Sequence, residues 1–267
     1  MTVNKDSYYQ DHWLEIEEER LERYERMFEW RPEQTAMLDP ADLQPGQRVV
    51  DFGSGPGFLS LALSDRVGDT GHVYGLDINS EFVRRSTQRA KESNKQDRVT
   101  FLQLTQDTLP LEDGSVDRVI CKNVLEYVPD IETTLGELKR ILKKGGKILA
   151  IDSDWGFVVV EPWGADRVRR FFNAASAAFK EPNIGRKLPA ALKRAGFQDI
   201  EVDIRPFIDR QGEGMAVLSN MTGYIRTFGT LDSAELKAMW EDLEQAVSEG
   251  DYMFILPQFS VTAINGR

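Results

Sequence analysis

Residues 49 to 57 read Val49-Val50-Asp51-Phe52-Gly53-Ser54-Gly55-Pro56-Gly57, and an acidic residue, Asp77, closes the next apolar run, Val73-Tyr74-Gly75-Leu76. Residues 49–52 are short, largely apolar and rich in β-branched side chains, which suits a buried strand. Three glycines then fall where a strand must turn sharply into a helix. Glycine lacks a Cβ, so it takes up positive φ and lets a ligand lie against bare backbone. The helix that follows carries Phe58, Leu59, Leu61, Ala62 and Leu63, and it points its free N–H groups at that bend. Asp77 is expected at the tip of the neighbouring strand, where a carboxylate can accept hydrogen bonds from a ribose diol.

The glycine spacing separates two kinds of nucleotide loop. A dinucleotide fingerprint runs G-x-G-x-x-G and seats a pyrophosphate on the helix N-terminus. Here the run is Gly53-x-Gly55-x-Gly57, with Phe58 in the place of the last fingerprint glycine. Pro56 also removes one N–H from the turn. This suits a nucleoside ligand without phosphates. The stretch resembles motif I of the class I S-adenosylmethionine (SAM) methyltransferases, an Asp/Glu-x-Gly-x-Gly-x-Gly loop that here starts at Asp51.

Outward from this loop, strand and helix patterns alternate. Strands are expected at residues 48–52, 72–76, 99–104, 117–122 and 147–151, with helices at 58–66 and 80–94. A third helix opens on Asp130 as N-cap, carries the stripe Ile131, Leu135, Leu138 and Leu142, and stops at Gly145-Gly146. Alternation of this kind implies a parallel sheet with right-handed crossovers. Further helices are expected at 163–179, 188–195, 213–228 and 233–248, and strands at 200–204 and 254–264. Pro257 in the last strand argues for an edge or a bulge. Residues 8–30 read as one helix with Leu14, Leu21, Tyr24 and Phe28 on a single face. The expected division is an N-terminal helical cap (1–45), an α/β core (46–205), a helical cap insertion (206–250) and a last strand of the core sheet (251–267).

The 267 residues are 41% hydrophobic and 29% charged, enough for a soluble protein with a real core. A net charge of −11 disfavours nucleic acid as a partner. The single cysteine, Cys121, rules out an internal disulfide and a cysteine zinc site, and it reads as a small buried hydrophobe. No metal is expected. Without an apolar leader or a membrane-length window, a cytoplasmic location, no membrane insertion and a monomer or homodimer are the expectations.

Four further landmarks are similar to the methyltransferase family, in the family's order. Asp77-Ile78 resembles motif II, which implies Asp77 on the ribose hydroxyls and Ile78 against adenine. Gln106-Asp107-Thr108-Leu109-Pro110, followed by Asp113-Gly114-Ser115-Val116-Asp117, is similar to the stretch where an acid meets the adenine amine. That implies Asp107 in this role, with the Thr108 backbone beside it. Cys121-Lys122-Asn123-Val124-Leu125-Glu126-Tyr127-Val128 resembles motif IV, which implies Asn123 along the methionine part of SAM. Residues 138–146 look like the helix end before the fifth strand. Gly185-Arg186-Lys187-Leu188-Pro189 and Ala195-Gly196-Phe197 look like the ubiquinone/menaquinone branch of small-molecule methyltransferases. The resemblance covers residues 45–205. It implies an α/β, doubly wound, seven-stranded, mostly parallel sheet of the Rossmann-like methyltransferase type, its last strand antiparallel, with a helical cap. SAM is the implied co-substrate, held by Asp51, Gly53, Ser54, Gly55, Gly57, Asp77, Ile78, Asp107, Thr108 and Asn123. One departure is Tyr127, which stands where the family often has histidine.

Methyl transfer from a sulfonium is an in-line displacement, so the protein mainly aligns nucleophile, methyl and sulfur. A base helps only if the acceptor must lose a proton. The candidates are Asp152 and Asp154 just past the fifth strand, then Glu126, Tyr127 and His12, with Trp155 and Phe157 as walls for an aromatic or polyketide-like acceptor. The expected activity is methylation of a quinone, phenolic or other secondary metabolite, with an amine or fatty-acid-like chain as the next acceptor class. Two other readings are a non-catalytic SAM-binding protein and an NAD-dependent oxidoreductase, and the glycine spacing counts against the second.

Overall fold

Strand β1 (Arg48–Phe52) is hydrogen-bonded in parallel to β2 (His72–Asp77) on one side and to β4 (Val116–Lys122) on the other. It is thus the strand about which the chain switches direction across the sheet. The computed structural model describes residues 4–266. Residues 1–3 and 267, at the ends of the expected N-terminal cap and final strand, lie outside the described residues. Beyond β2 lies β3 (Val99–Gln103), and beyond β4 lies β5 (Leu142–Ser153), both parallel to their neighbours. The remaining strands are β6 (Val159–Glu161), β7 (Gln198–Asp209) and β8 (Met253–Ile264). β8 runs antiparallel to β5 and β7, as the expected last strand does. The sheet has eight strands where seven were expected, in the order β3-β2-β1-β4-β5-β8 with β6 and β7 both paired to β8. The additional one is β6, whose three residues are too few to show a period.

Both faces of the parallel region are covered, which is why its strands read as apolar runs. On one face α3 (Phe58–Val67) and α4 (Ser80–Glu92), with the 3-10 segment Pro32–Ala41, enclose Val49, Leu63, Val73, Phe101 and Leu149. On the other, α5 (Ile131–Ile141) and α7 (Ile184–Arg194) enclose Val50, Val119, Leu138, Leu188 and Val261. Asp130 caps α5 as expected, accepting from Thr133 N at 2.7 Å.

A second apolar core lies among α6 (Gly164–Ala175), α8 (Met215–Phe228) and α9 (Ser233–Glu249), and takes in Phe171, Leu218, Leu243, Tyr252 and Phe254. The division expected at residue 206 falls inside β7, which continues to Asp209, and α6, placed with the core, packs with α8 and α9. β8 joins the two cores. Residues 258–264 pair with β5 and residues 253–255 with β6, while β7 follows it from 254 to 264. Pro257 is therefore in an interior strand, not at an edge. It sits opposite Pro206, at the step between the β5 and β6 ladders, where no strand needs its missing N–H.

The expected single helix over residues 8–30 is two, α1 (Tyr8–Leu14) and α2 (Glu18–Phe28). Glu17 is extended, with ψ 147°. That break rotates the two parts, so Leu21 and Tyr24 are buried while Leu14 is 45% exposed and leaves their face. No helix among the described residues is long and apolar enough to cross a membrane.

Candidate functional site

A cavity of about 460 Å³ opens at the carboxyl ends of β1, β2 and β4, where a doubly wound sheet leaves a crevice. The glycine loop forms its floor. Gly53 N and Ser54 N both donate to Leu76 O, at 2.8 and 2.9 Å, and Gly55 N donates to Asp77 Oδ2 at 2.7 Å. All three glycines have positive φ, but they do different things. A Cβ on Gly53 would lie 2.2 Å from the Val124 side chain, and one on Gly57 2.6 Å from Ser86 Oγ. A Cβ on Gly55 would meet nothing within 4 Å. Gly53 and Gly55 line the cavity, and Gly57 does not. Gly57 instead lets α3 start close against α4 and β3.

Asp77 accepts from Asn79 N through Oδ1 at 2.8 Å as well as from Gly55 N. Each oxygen keeps a further lone pair. Burial pushes its carboxyl up to about 6, against the favourable backbone bonds. Asp51 is also buried, accepts from Ser60 Oγ at 2.6 Å and is pushed up to about 7, first by burial. Asn123 takes a left-handed φ of 55°, which asparagine tolerates, and its Oδ1 accepts from Gln258 Nε2 at 3.1 Å. Asp51, Ser54, Ile78, Asp107 and Asn123 all line the cavity, and Thr108 does not.

The proposed bases separate sharply. Tyr127 lines the cavity, its ring 5.1 Å from Trp13 and 5.4 Å from Phe179, and burial holds its phenol protonated, well above the usual value. The other candidates do not reach it. Asp152 is fully buried, accepts from Leu125 N at 3.0 Å and is pushed up to about 7 by burial. Glu126 accepts from Trp155 Nε1 at 2.7 Å and is raised by burial and then by the charge of Asp152. Asp154 is gripped by the Arg186 guanidinium through both oxygens. Trp155 stacks on Phe172 and Phe157 is half-exposed beneath Arg186, so neither walls the cavity. Cys121 is buried and free, as expected. Among the described residues no three His, Cys, Asp or Glu side chains gather as a metal set.

Removing Arg186 strands a carboxylate that has no exposure of its own. Arg186→Met is expected to lower stability by about 2–3 kcal/mol, since a buried charge loses its partner. Part of this should return in the double variant with Asp154→Asn. Thermal melting of both variants beside the parent checks it, and an Arg186→Met variant as stable as the parent contradicts the pairing.

His12 is buried in the N-terminal segment, off the cavity. It stacks on Tyr8 at 4.7 Å, its Nδ1 bonds to Tyr8 O, and its Nε2 lies 3.4 Å from Tyr224 Oη. Burial lowers its pKa to about 3 from an ordinary 6.5. Between those two values only the unfolded chain takes up the proton. The contribution is therefore present above pH 6.5 and is lost as pH falls toward 3, by up to about 1.4 kcal/mol per pH unit. Hydrogen exchange of α1 should accelerate from pH 7 to pH 5 relative to a His12→Phe variant. Identical profiles would remove histidine as the cause.

The N-terminal segment borders the cavity with side chains that were not among the expected site residues. Trp13 and Leu14 from α1, Met27 and Phe28 from α2, then Trp30 and Gln34, all line it. The exposed face of Leu14 thus looks into the site. Asn79 holds the segment down: its Nδ2 donates to Trp13 O at 2.8 Å while its Oδ1 caps α4 at Phe82 N, 2.9 Å away. Glu25 adds ion pairs to Arg89 and Arg85 of α4, at 2.9 and 3.3 Å. Tyr24 is buried packing, but Phe28, expected on the same face, lines the cavity. Lys122, another lining residue, was also missed. The signal was a charged residue directly after the apolar run Val119-Ile120-Cys121.

A methyltransferase domain family model matches residues 43–182. The chain belongs to the methyltransferase domain family. This bears out the membership read from the glycine loop and the motifs after it. The chain is 31% identical over 168 residues to an uncharacterized 37.1 kDa protein in transposon TN4556 of Streptomyces fradiae, covering 62% of this chain and 48% of that one. It is 32% identical over 129 residues to a 2-phytyl-1,4-naphtoquinone methyltransferase of Trichormus variabilis, covering 47% of this chain and 56% of the relative. The chain spans about half the length of the curated relatives it matches. Its fold is also that of phosphoethanolamine N-methyltransferase 2 of Haemonchus contortus, solved with S-adenosyl-L-methionine. The TM-score is 0.65 at 19% identity, over 99% of this chain and 60% of that one.

Proposed function

We propose that this methyltransferase moves the methyl group of SAM to a small-molecule acceptor. The observation that carries the reading is the Gly55 N–H held by Asp77 on the floor of a cavity into which only an absent Cβ would project. The lining fits the donor. Asp107 follows β3, Asp77 ends β2, the glycine loop follows β1, and Asn123 and Tyr127 follow β4. Four adjacent strand tips extend over about 14 Å, the reach of an extended adenosyl-amino acid. Asp77 suits the ribose hydroxyls, Ile78 and Asp107 the adenine, and Asn123 the methionine part.

The acceptor end is aromatic, with Trp13, Phe28, Trp30 and Tyr127 on the lining. Such walls favour a flat, largely apolar molecule, so we assign a quinone, phenolic or similar secondary metabolite. The naphtoquinone named for one relative is of this class. Tyr127 gives its ring to that wall; its phenol, kept protonated by burial and hydrogen-bonded to Glu126, does not serve as a base. Calorimetry with SAM and S-adenosylhomocysteine, followed by a tritiated-methyl screen over metabolite extracts, tests the reading. Saturable binding with no labelled product from any extract would favour a SAM-binding protein without transfer activity. No binding of either compound would end it.

A further inference from the structure

We infer that Lys122 holds the carboxylate at the amino-acid end of the donor, an inference that rests on the SAM reading above. Lys122 is the last residue of β4 and lines the cavity beside Gly53, Asn123 and Asp51. Its side chain is half-buried, yet among the described residues no carboxylate forms an ion pair with it and no acceptor takes a hydrogen bond from it. The two acids that act on it through space are engaged elsewhere, Asp51 by Ser60 and Asp152 by Leu125 N. An ammonium withdrawn from water without a partner is unfavourable. Burial lowers the pKa of Lys122 accordingly. The arrangement is that of a binding group whose counter-ion arrives with the ligand.

The strand order says which counter-ion. Along the sheet edge the tips run β3, β2, β1, β4, so Asp107, Asp77, Gly55 and Lys122 stand in that sequence. With adenine at the first and ribose at the second, Lys122 lies two strand spacings past the ribose, about 10 Å. Adenosyl-amino acids carry one anionic group, the carboxylate, and it lies at that far end. Asp51, beside Lys122 on the lining, is of the opposite charge and faces the end of the ligand that also bears the α-ammonium. No residue of the expected binding set supplied a cation for this end.

The test compares two ligands on two proteins. S-adenosylhomocysteine has the amino-acid end, and 5′-methylthioadenosine lacks it but keeps adenine, ribose and sulfur. In calorimetry, Lys122→Met is expected to weaken S-adenosylhomocysteine about ten- to hundred-fold, the range for a hydrogen bond to a charged group. Methylthioadenosine should bind the variant as it binds the parent, which also shows that the variant is folded. Unchanged S-adenosylhomocysteine affinity overturns the inference, and so does an equal loss for both ligands. Failure of the unaltered chain to bind S-adenosylhomocysteine overturns the donor reading itself, a result distinct from either.

Discussion

Gly55→Val is expected to abolish binding of SAM and S-adenosylhomocysteine while leaving a folded protein. The Cβ of residue 55 would meet no atom within 4 Å because it points into the open cavity. Valine's methyl groups would therefore occupy the ligand's volume, not the protein's. The expected loss of affinity is at least about 100-fold, on the order of 3 kcal/mol. The φ of 48° imposes a penalty on a side chain of about 1–2 kcal/mol, small beside a domain stability on the order of 5–15 kcal/mol. Gly53→Val is the contrasting control, because there the new Cβ would lie 2.2 Å from Val124 and strike the fold itself. Calorimetry and thermal melting on both variants separate the cases. Parent-like affinity in Gly55→Val would show that the ligand lies elsewhere.

Asp77→Asn should weaken S-adenosylhomocysteine about ten- to hundred-fold by removing a charged acceptor from the ribose. It should also remove a pH dependence. The carboxyl sits at about 6 in the folded chain against an ordinary 3.8. A raised carboxyl favours the folded state while protonated, so its contribution is full below pH 3.8 and is lost as pH rises through about 6. Ligand binding runs the other way, because ribose hydroxyls donate best to the ionised form. Affinity of the parent should therefore fall as pH drops from 7 to 5, more steeply than that of Asp77→Asn. Subtracting the variant's profile removes the shared titration of Asp51, which is centred near 7. Parallel profiles would take Asp77 out of the ribose site.

The glycine loop and the parallel strands were legible because they depend on local signals. β1 is an apolar run ended by glycines that need positive φ, and Asp130 caps its helix from within one turn. What failed to show depends on distant partners or on very short elements. Asp154 sits where catalytic acids gather, but Arg186, 32 residues later, claims it. Gly57 looks like its two companions in sequence, and only the approach of Ser86 and Phe101 gives it a packing role. β6 has three residues and exists because β8 extends past the β5 ladder and offers it an edge. The break between α1 and α2 falls on Glu15-Ile16-Glu17, residues that fit a helix well; Asn79 and Leu14 show what it achieves, an apolar side chain turned into the cavity.

The continuity of β8 bears on how molecules pass in and out. Tilting the α6–α9 layer away from the sheet would mean bending a twelve-residue strand along its pairing with β7. That layer is fixed to the sheet, and no residue of α6, α8 or α9 lines the cavity. The N-terminal segment is fastened across the opening by Asn79, by ion pairs from Glu18 and Glu25, and by the buried Leu21, Tyr24 and His12, the last two meeting Tyr224 of α8. An opening of the cavity that leaves that layer in place is then expected to come from α1 and α2, and Asn79→Ala is expected to speed the release of S-adenosylhomocysteine in stopped-flow dissociation.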